Sequence, residues 1–136
     1  GGMLREGLAF DRCKVAVVTN LGGGDHLGLN YITTLEDLTV LKRVIVLNVE
    51  HDGMAVLNAA DPAVAAMAPH CPGDVTFFAM DAAQPVLAAH RAQGRRVVFV
   101  DNGAIVDVPD LTALVGFVLA SLLFVVFSKF DKNSKN

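Results

Sequence analysis

Five short runs rich in β-branched and aromatic residues recur along the chain, at 14–19, 54–57, 75–78, 96–100 and 104–108, with helix signals in the first three gaps. That alternation constrains the fold more than any other feature. A helix between two strands carries the chain across one sheet face and returns it parallel to where it began. Only Asp101-Asn102-Gly103 separates the last two runs, and Asn-Gly between β-branched segments signals a tight hairpin. The order is β-α-β-α-β-α followed by a hairpin, which predicts an α/β fold: a mostly parallel sheet with flanking helices and an antiparallel edge. The first run, Val15-Ala16-Val17-Val18-Thr19-Asn20, is almost continuously apolar and predicts a strand covered on both faces.

The helix signals are local and specific. Thr33-Thr34-Leu35-Glu36 has the spacing of a capping box, with Thr33 as N-cap and Glu36 three residues on. Leu35, Leu38, Leu41 and Ile45 then fall on one helical face, and the helix is expected to reach about residue 47. His51-Asp52-Gly53 reads as a turn. Asp61-Pro62 places an acidic N-cap before a proline at the first helical position, opening an alanine-rich helix over 63–68 that stops before Pro69. Pro85 starts a helix through Arg91, closed by Gly94. Residues 3–10 suit a short helix or turn.

At 136 residues the chain has room for one modest domain with a sizeable core. A net charge of −3 and the lack of any dense Lys/Arg cluster argue against a nucleic-acid surface. Cys13 and Cys71 are far apart and lack zinc-ribbon spacing, which suits reduced thiols. The chain opens on Gly1-Gly2-Met3 without a targeting pattern and reads as a piece of something longer, or as a start at Met3 preceded by two extra glycines.

Leu111 to Phe127 carries no charged residue. As a helix it would reach roughly 25 Å, the lower limit for a bilayer. A hydrophobic C-terminal helix that spans a membrane is the leading expectation, because a small domain cannot bury every face of such a helix. A buried core helix and a stretch foreign to the domain are the alternatives. The tail after it, with three lysines beyond Ser128, is polar and slightly basic.

Chemistry concentrates after the first run. Leu21-Gly22-Gly23-Gly24-Asp25-His26-Leu27-Gly28 is a glycine-rich turn with a carboxylate and an imidazole at its end, where a parallel sheet places its sites. Asp25 and His26 can bind a metal, orient water or move a proton; a plain structural loop is the equal alternative. Asn58 ends the second run, and its carboxamide can read the donor–acceptor edge of a base such as adenine, or simply close a turn. Lys42 lies on the helix between these loops and reads by default as a solvated helical lysine, and Asp61 reads most simply as an N-cap. His51, His70 and His90 read as surface residues. No G-x-x-x-x-G-K-[ST] and no G-x-S-x-G occurs in the 136 residues. A metal-dependent hydrolase would rest on Asp25 and His26 alone, fewer ligands than such a site needs.

Several stretches stand in order at family-like separations: Gly1 through Cys13, Val15 through Asn20, Gly23-Gly24-Asp25-His26-Leu27-Gly28-Leu29, Glu36-Asp37-Leu38, Lys42-Arg43, Ala55-Val56-Leu57-Asn58-Ala59, Asp61-Pro62, Ala65-Ala66-Met67-Ala68, His70-Cys71-Pro72-Gly73 and Ala88-Ala89-His90-Arg91. Together they resemble the cyanophycin synthetase family, in the central ATP-binding domain of its Mur-ligase-like half. The resemblance covers residues 1–108, a partial Mur-ligase-like central domain, and leaves 109–136 as an apolar helix with a polar tail outside it.

The resemblance implies an ATP-dependent ligase that adds L-arginine to the aspartate side chains of poly-aspartate through an acyl phosphate. ATP and Mg2+ are the implied cofactors; arginine and a poly-aspartate or cyanophycin primer are the implied partners. It implies a cytoplasmic enzyme, oligomeric at full length; membrane association would come only from the apolar segment 111–127, and the charge balance argues against a nucleic-acid partner. A non-enzymatic, membrane-tethered α/β module is the alternative. His26 of the Asp-His-Leu motif falls on a magnesium ligand, with Asp25 beside it. Asn58 falls on the adenine contact of an Asn-Ala-Asp-Asp-Pro motif, and Asn20 is taken with it as nucleotide-binding. Lys42 lies near a carbamylated, catalytic lysine. Ala60 replaces the first Asp of that motif, and the family's phosphate loop and acidic metal ligand fall upstream of Gly1, so the fragment alone is expected to be inactive.

Overall fold

The computed structural model describes residues 8–22, 33–112 and 118–123. Its centre is a five-stranded sheet in the order β1-β2-β3-β4-β5. The strands are β1 (Cys13–Val18), β2 (Val49–Asn58), β3 (Asp74–Ala79), β4 (Val97–Asp101) and β5 (Ala104–Val108). The first four are parallel and β5 returns antiparallel along β4. The connections are α1 (Leu35–Leu47), α2 (Pro62–Ala65) with a 3-10 turn (Ala68–His70), and α3 (Pro85–Ala92). The expected α/β fold with a mostly parallel sheet and an antiparallel edge is therefore present.

Each crossover moves the chain one strand onward in the same direction. Connections of one hand then stack their helices on one face of the sheet. Register shows which face that is. Ala16 pairs with Ala55, Val18 with Leu57, Leu57 with Phe77, Phe77 with Val97 and Ala79 with Phe99. All of these are buried, packed with Leu38 and Val46 of α1, Val64 of α2 and Leu87 of α3. The opposite face is more open. Val15 and Val17 are 59% and 56% exposed and Ile105 is 80% exposed. The expectation that β1 is covered on both faces is thus corrected. β1 is an edge strand, and its apolar run serves one covered face, while the other has no layer over it among the described residues.

Local boundaries differ where two signals competed. The capping box of α1 sits one residue later than expected: Thr34 is the N-cap and Asp37, not Glu36, closes the box. The Asp37 carboxylate accepts from the Thr33 and Thr34 amides. The Thr34 hydroxyl and these amides hold its pKa below the usual carboxylate value. α2 is a single turn rather than a helix over 63–68, and Pro69 sits inside the 3-10 turn rather than beyond a helix end. α3 ends as expected, with Gly94 at φ +75° just past the cap. The hairpin has Asn102 at φ +48° and Gly103 at φ +78°, the positive pair a two-residue turn of this hand requires.

His51-Asp52-Gly53 is not a turn but part of the ten-residue β2. Pairing with β1 jumps from Cys13↔Val49 to Val15↔Met54, so β2 carries a bulge there. Gly53 makes this possible: a Cβ on it would lie 2.6 Å from the Lys14 carbonyl oxygen and 2.9 Å from Val49 Cγ1.

The long hydrophobic C-terminal helix is not supported. No helix among the described residues is long and apolar enough to cross a membrane. Of the segment 111–127, residues 113–117 and 124–127 lie outside the described residues. Residues 118–123 are helical and leave Val118, Leu119, Leu122 and Leu123 exposed, so they are not the buried core helix of the alternative.

The bulge gives a direct test. Gly53→Ala forces a methyl group against backbone that cannot swing away, and overpacking of this kind costs about 1–3 kcal/mol. Urea unfolding of the variant should show a lower midpoint at an unchanged slope.

Candidate functional site at the ends of β1 and β2

In a parallel sheet the strands' C-terminal ends share one edge, and ligands of α/β proteins bind outside that edge. Here the edge carries the loop 19–22 after β1 and the loop 59–61 after β2. Backbone groups just past a strand have lost their ladder partners and need others. Side chains supply them. Asn58 donates Nδ2–H to the Thr19 carbonyl at 2.8 Å, and its Oδ1 accepts from the Ala60 amide at 2.9 Å. Lys42, reaching down from α1, donates to the Leu21 carbonyl at 2.8 Å. Asp61 caps α2 through Oδ1, which accepts from the Ala63 and Val64 amides at 3.0 and 3.3 Å. Its other oxygen, Oδ2, accepts from the Leu21 amide at 3.1 Å. On the far side, Gln84 donates to the Ala59 carbonyl and caps α3 at Leu87.

The structure therefore brings Lys42 and Asn58, separated by 16 positions, onto one four-residue loop. Asn20 lies in that loop and is exposed, two residues before Gly22 at φ +73°. Asp25 and His26 lie outside the described residues. Among the described residues no group of three or more His, Cys, Asp or Glu is placed to hold a metal ion.

Charge clusters elsewhere. At the opposite edge Lys14 bridges Glu50 (2.7 Å) and Asp52. The hydrogen bonds that Lys14 donates to these carboxylates, Asp52 first, raise its pKa, and Lys14 in turn lowers that of Asp52. Two cavities also open away from Asn20, Lys42 and Asn58. One of about 310 Å³ is lined by Cys71, Asp74, His90 and Arg95 at the start of β3. The other, about 430 Å³, is lined by Arg12, Glu50, His51 and Asp52 at the start of β2. Strand-end placement, not cavity size, marks the candidate site.

One expectation changes in the structure. His90 is not a surface residue: it is half-buried, with Nε2 3.0 Å from the Val75 carbonyl and its ring edge-on to Phe77. His70 is exposed but bonded to Arg43 at 3.2 Å. Two residues of the edge escaped the sequence reading. Gln84 carried no recognisable signal. Asp61 was legible only as a cap, although a cap occupies one carboxylate oxygen and leaves the other to be accounted for.

Asn58 holds both loops, so its removal is measurable without any ligand. Asn58→Ala deletes two hydrogen bonds at a half-buried position and should cost about 1–2 kcal/mol in urea unfolding. Amide exchange at Ala60 should accelerate selectively.

Residues 4–110 match the Mur ligase middle domain. Three curated proteins named cyanophycin synthetase are similar over the same region. The one from Synechocystis sp. is 48% identical over 100 residues, which is 73% of this chain and 11% of that protein. Those from Geminocystis herdmanii and Crocosphaera subtropica are each 44% identical, over 103 and 105 residues, or 76% and 77% of this chain and 12% of each relative. The chain thus spans about an eighth of the length of the relatives it matches.

Proposed function

The chain belongs to the Mur ligase family through its middle domain, and on that premise we propose that it forms one wall of the ATP site of an amide-forming ligase. The relatives named cyanophycin synthetase support a narrower reading, in which the amine is L-arginine and the acceptor is the aspartate side chain of a poly-aspartate primer. The observation that carries the proposal is the convergence of Asn58 and Lys42 on the loop 19–22 at the C-terminal edge of β1 and β2.

The donor set fits a nucleotide. After bonding Thr19 and Ala60, Asn58 retains one N–H and one lone pair. That is the pair needed for the adenine edge, where an N–H donor and a ring-nitrogen acceptor stand side by side. Lys42 uses one of three ammonium donors on Leu21 and has two for phosphate oxygens. Carbamylation of Lys42 would turn it into an anion suited to Mg2+. His26, with Asp25, is proposed as the magnesium ligand, and Asn20 as a further nucleotide contact. Bound ATP and Mg2+ would supply phosphoryl activation of a carboxylate and neutralise its charge. The residues of this edge hold and orient.

The test is a nitrogen-15 amide titration of the chain with MgATP and, separately, MgGTP. ATP should move the amides of Asn20–Gly22 and Asn58–Asp61, and GTP should move them less, because guanine presents an acceptor where adenine presents a donor. Equal responses, or none, would remove the adenine assignment. The 136 residues contain no phosphate-cradling G-x-x-x-x-G-K-[ST], so the pure chain should show no arginine-dependent ATP hydrolysis.

A further inference from the structure

Three side chains act on three successive peptide groups of the loop after β1. Asn58 holds the carbonyl of the Thr19–Asn20 peptide, Asp61 holds the N–H of the Asn20–Leu21 peptide, and Lys42 holds the carbonyl of the Leu21–Gly22 peptide. The peptide planes on both sides of Asn20 are pinned, and so are those on both sides of Leu21. Because each peptide is planar, pinning the planes around a residue fixes its φ and ψ. The Leu21 side chain, 5% exposed in the core, anchors the same stretch from below. The Asn20 side chain is exposed and stands on this held backbone.

Asp61 is the pivotal member. Its Oδ1 alone serves the cap, accepting from Ala63 and Val64. The cap makes no use of Oδ2, which bonds the Leu21 amide forty residues away. We propose that Asp61 is a positioning residue of the nucleotide site: its second oxygen, between the holds of Asn58 and Lys42, fixes the backbone that presents Asn20 to the ligand. The proposal rests on the nucleotide reading above for the identity of that ligand, and on the hydrogen-bond geometry alone for the positioning.

The two oxygens can be separated by mutation. Serine and asparagine are N-caps as good as aspartate, so either preserves α2. Serine has one side-chain oxygen and asparagine one acceptor oxygen, so neither serves the cap and Leu21 together. The experiment compares Asp61→Ser and Asp61→Asn with the wild-type 136-residue chain in thermal unfolding, amide exchange and titration with MgATP. In Asp61→Ser the thermal midpoint and the protection of Val64 should hold. Exchange at Leu21 should accelerate about tenfold or more, the scale of a lost hydrogen bond to a charged acceptor. The apparent Kd for MgATP should rise at least about fivefold. Asp61→Asn should give the same separation, with Leu21 deprotected if its oxygen keeps the cap.

Unchanged exchange at Leu21 in both variants overturns the positioning role. Accelerated exchange with unchanged MgATP affinity overturns it as well, since the fixed backbone would then serve folding only. A wild-type chain blind to MgATP overturns the nucleotide reading and the use of the held loop in it, while the Leu21 exchange still decides separately whether Asp61 holds the loop.

Discussion

Parallel pairing of strands that are neighbours in both sequence and space is the constraint on which the rest of this structure depends. Four parallel strands in sequential order align their C-terminal ends along one edge. Crossovers of one hand gather α1, α2 and α3 over one face and concentrate the core there. The price of that economy is the other face, where Val15, Val17 and Ile105 remain exposed. The same pairing forces the loops after β1 and β2 together, which is why residues as distant as Lys42 and Asp61 meet at Leu21.

What happens at that edge follows from hydrogen-bond accounting. A strand satisfies its backbone through the ladder, and the ladder ends at Val18 and Asn58. Beyond it the Ala59 amide still reaches the Phe78 carbonyl, and the carbonyls and amides without such a backbone partner need water or a side chain. Water would leave the loop free to change conformation. Side chains from α1, β2 and the α2 cap hold it instead, and two of the three, Lys42 and Asp61, are charged, with hydrogen bonds stronger than neutral ones. Fixing a polar loop at a sheet edge is what a binding site needs, because a group already in place loses little entropy when a ligand arrives.

Element types were readable from the sequence because each rested on a local rule: β-branched runs for strands, Asp61-Pro62 for the start of α2, Asn102-Gly103 for the hairpin. Errors arose where two local signals competed. Thr33 and Thr34 both offered a cap, and Asp37 settled the choice by serving the Thr34 box. His51-Asp52-Gly53 has turn chemistry, yet pairing along β1 and the close approach of Lys14 keep it within a bulged strand. The site was legible in part. Asn58 was visible as chemistry at a strand end and Lys42 as a helical lysine between the two loops, and the structure brings both to the loop after β1. The Oδ2 contact of Asp61 was not, because nothing local says that a capping carboxylate also reaches a loop forty positions earlier.

The same geometry limits what one departure from the resembled motif changes locally. Ala60 stands where that motif carries an aspartate. In this structure position 60 contributes its backbone N–H to Asn58 Oδ1, a contact any residue except proline can make. The side chains that matter on either side, Asn58 and Asp61, are both present and both bonded across to the loop after β1. An alanine at 60 therefore leaves the turn, the cap and the three pinned peptides intact. What it removes is one negative charge beside the edge, and losing a charge there lowers the repulsion an anionic ligand would meet. The substitution alters the electrostatics of the edge and leaves its hydrogen-bond architecture as it was.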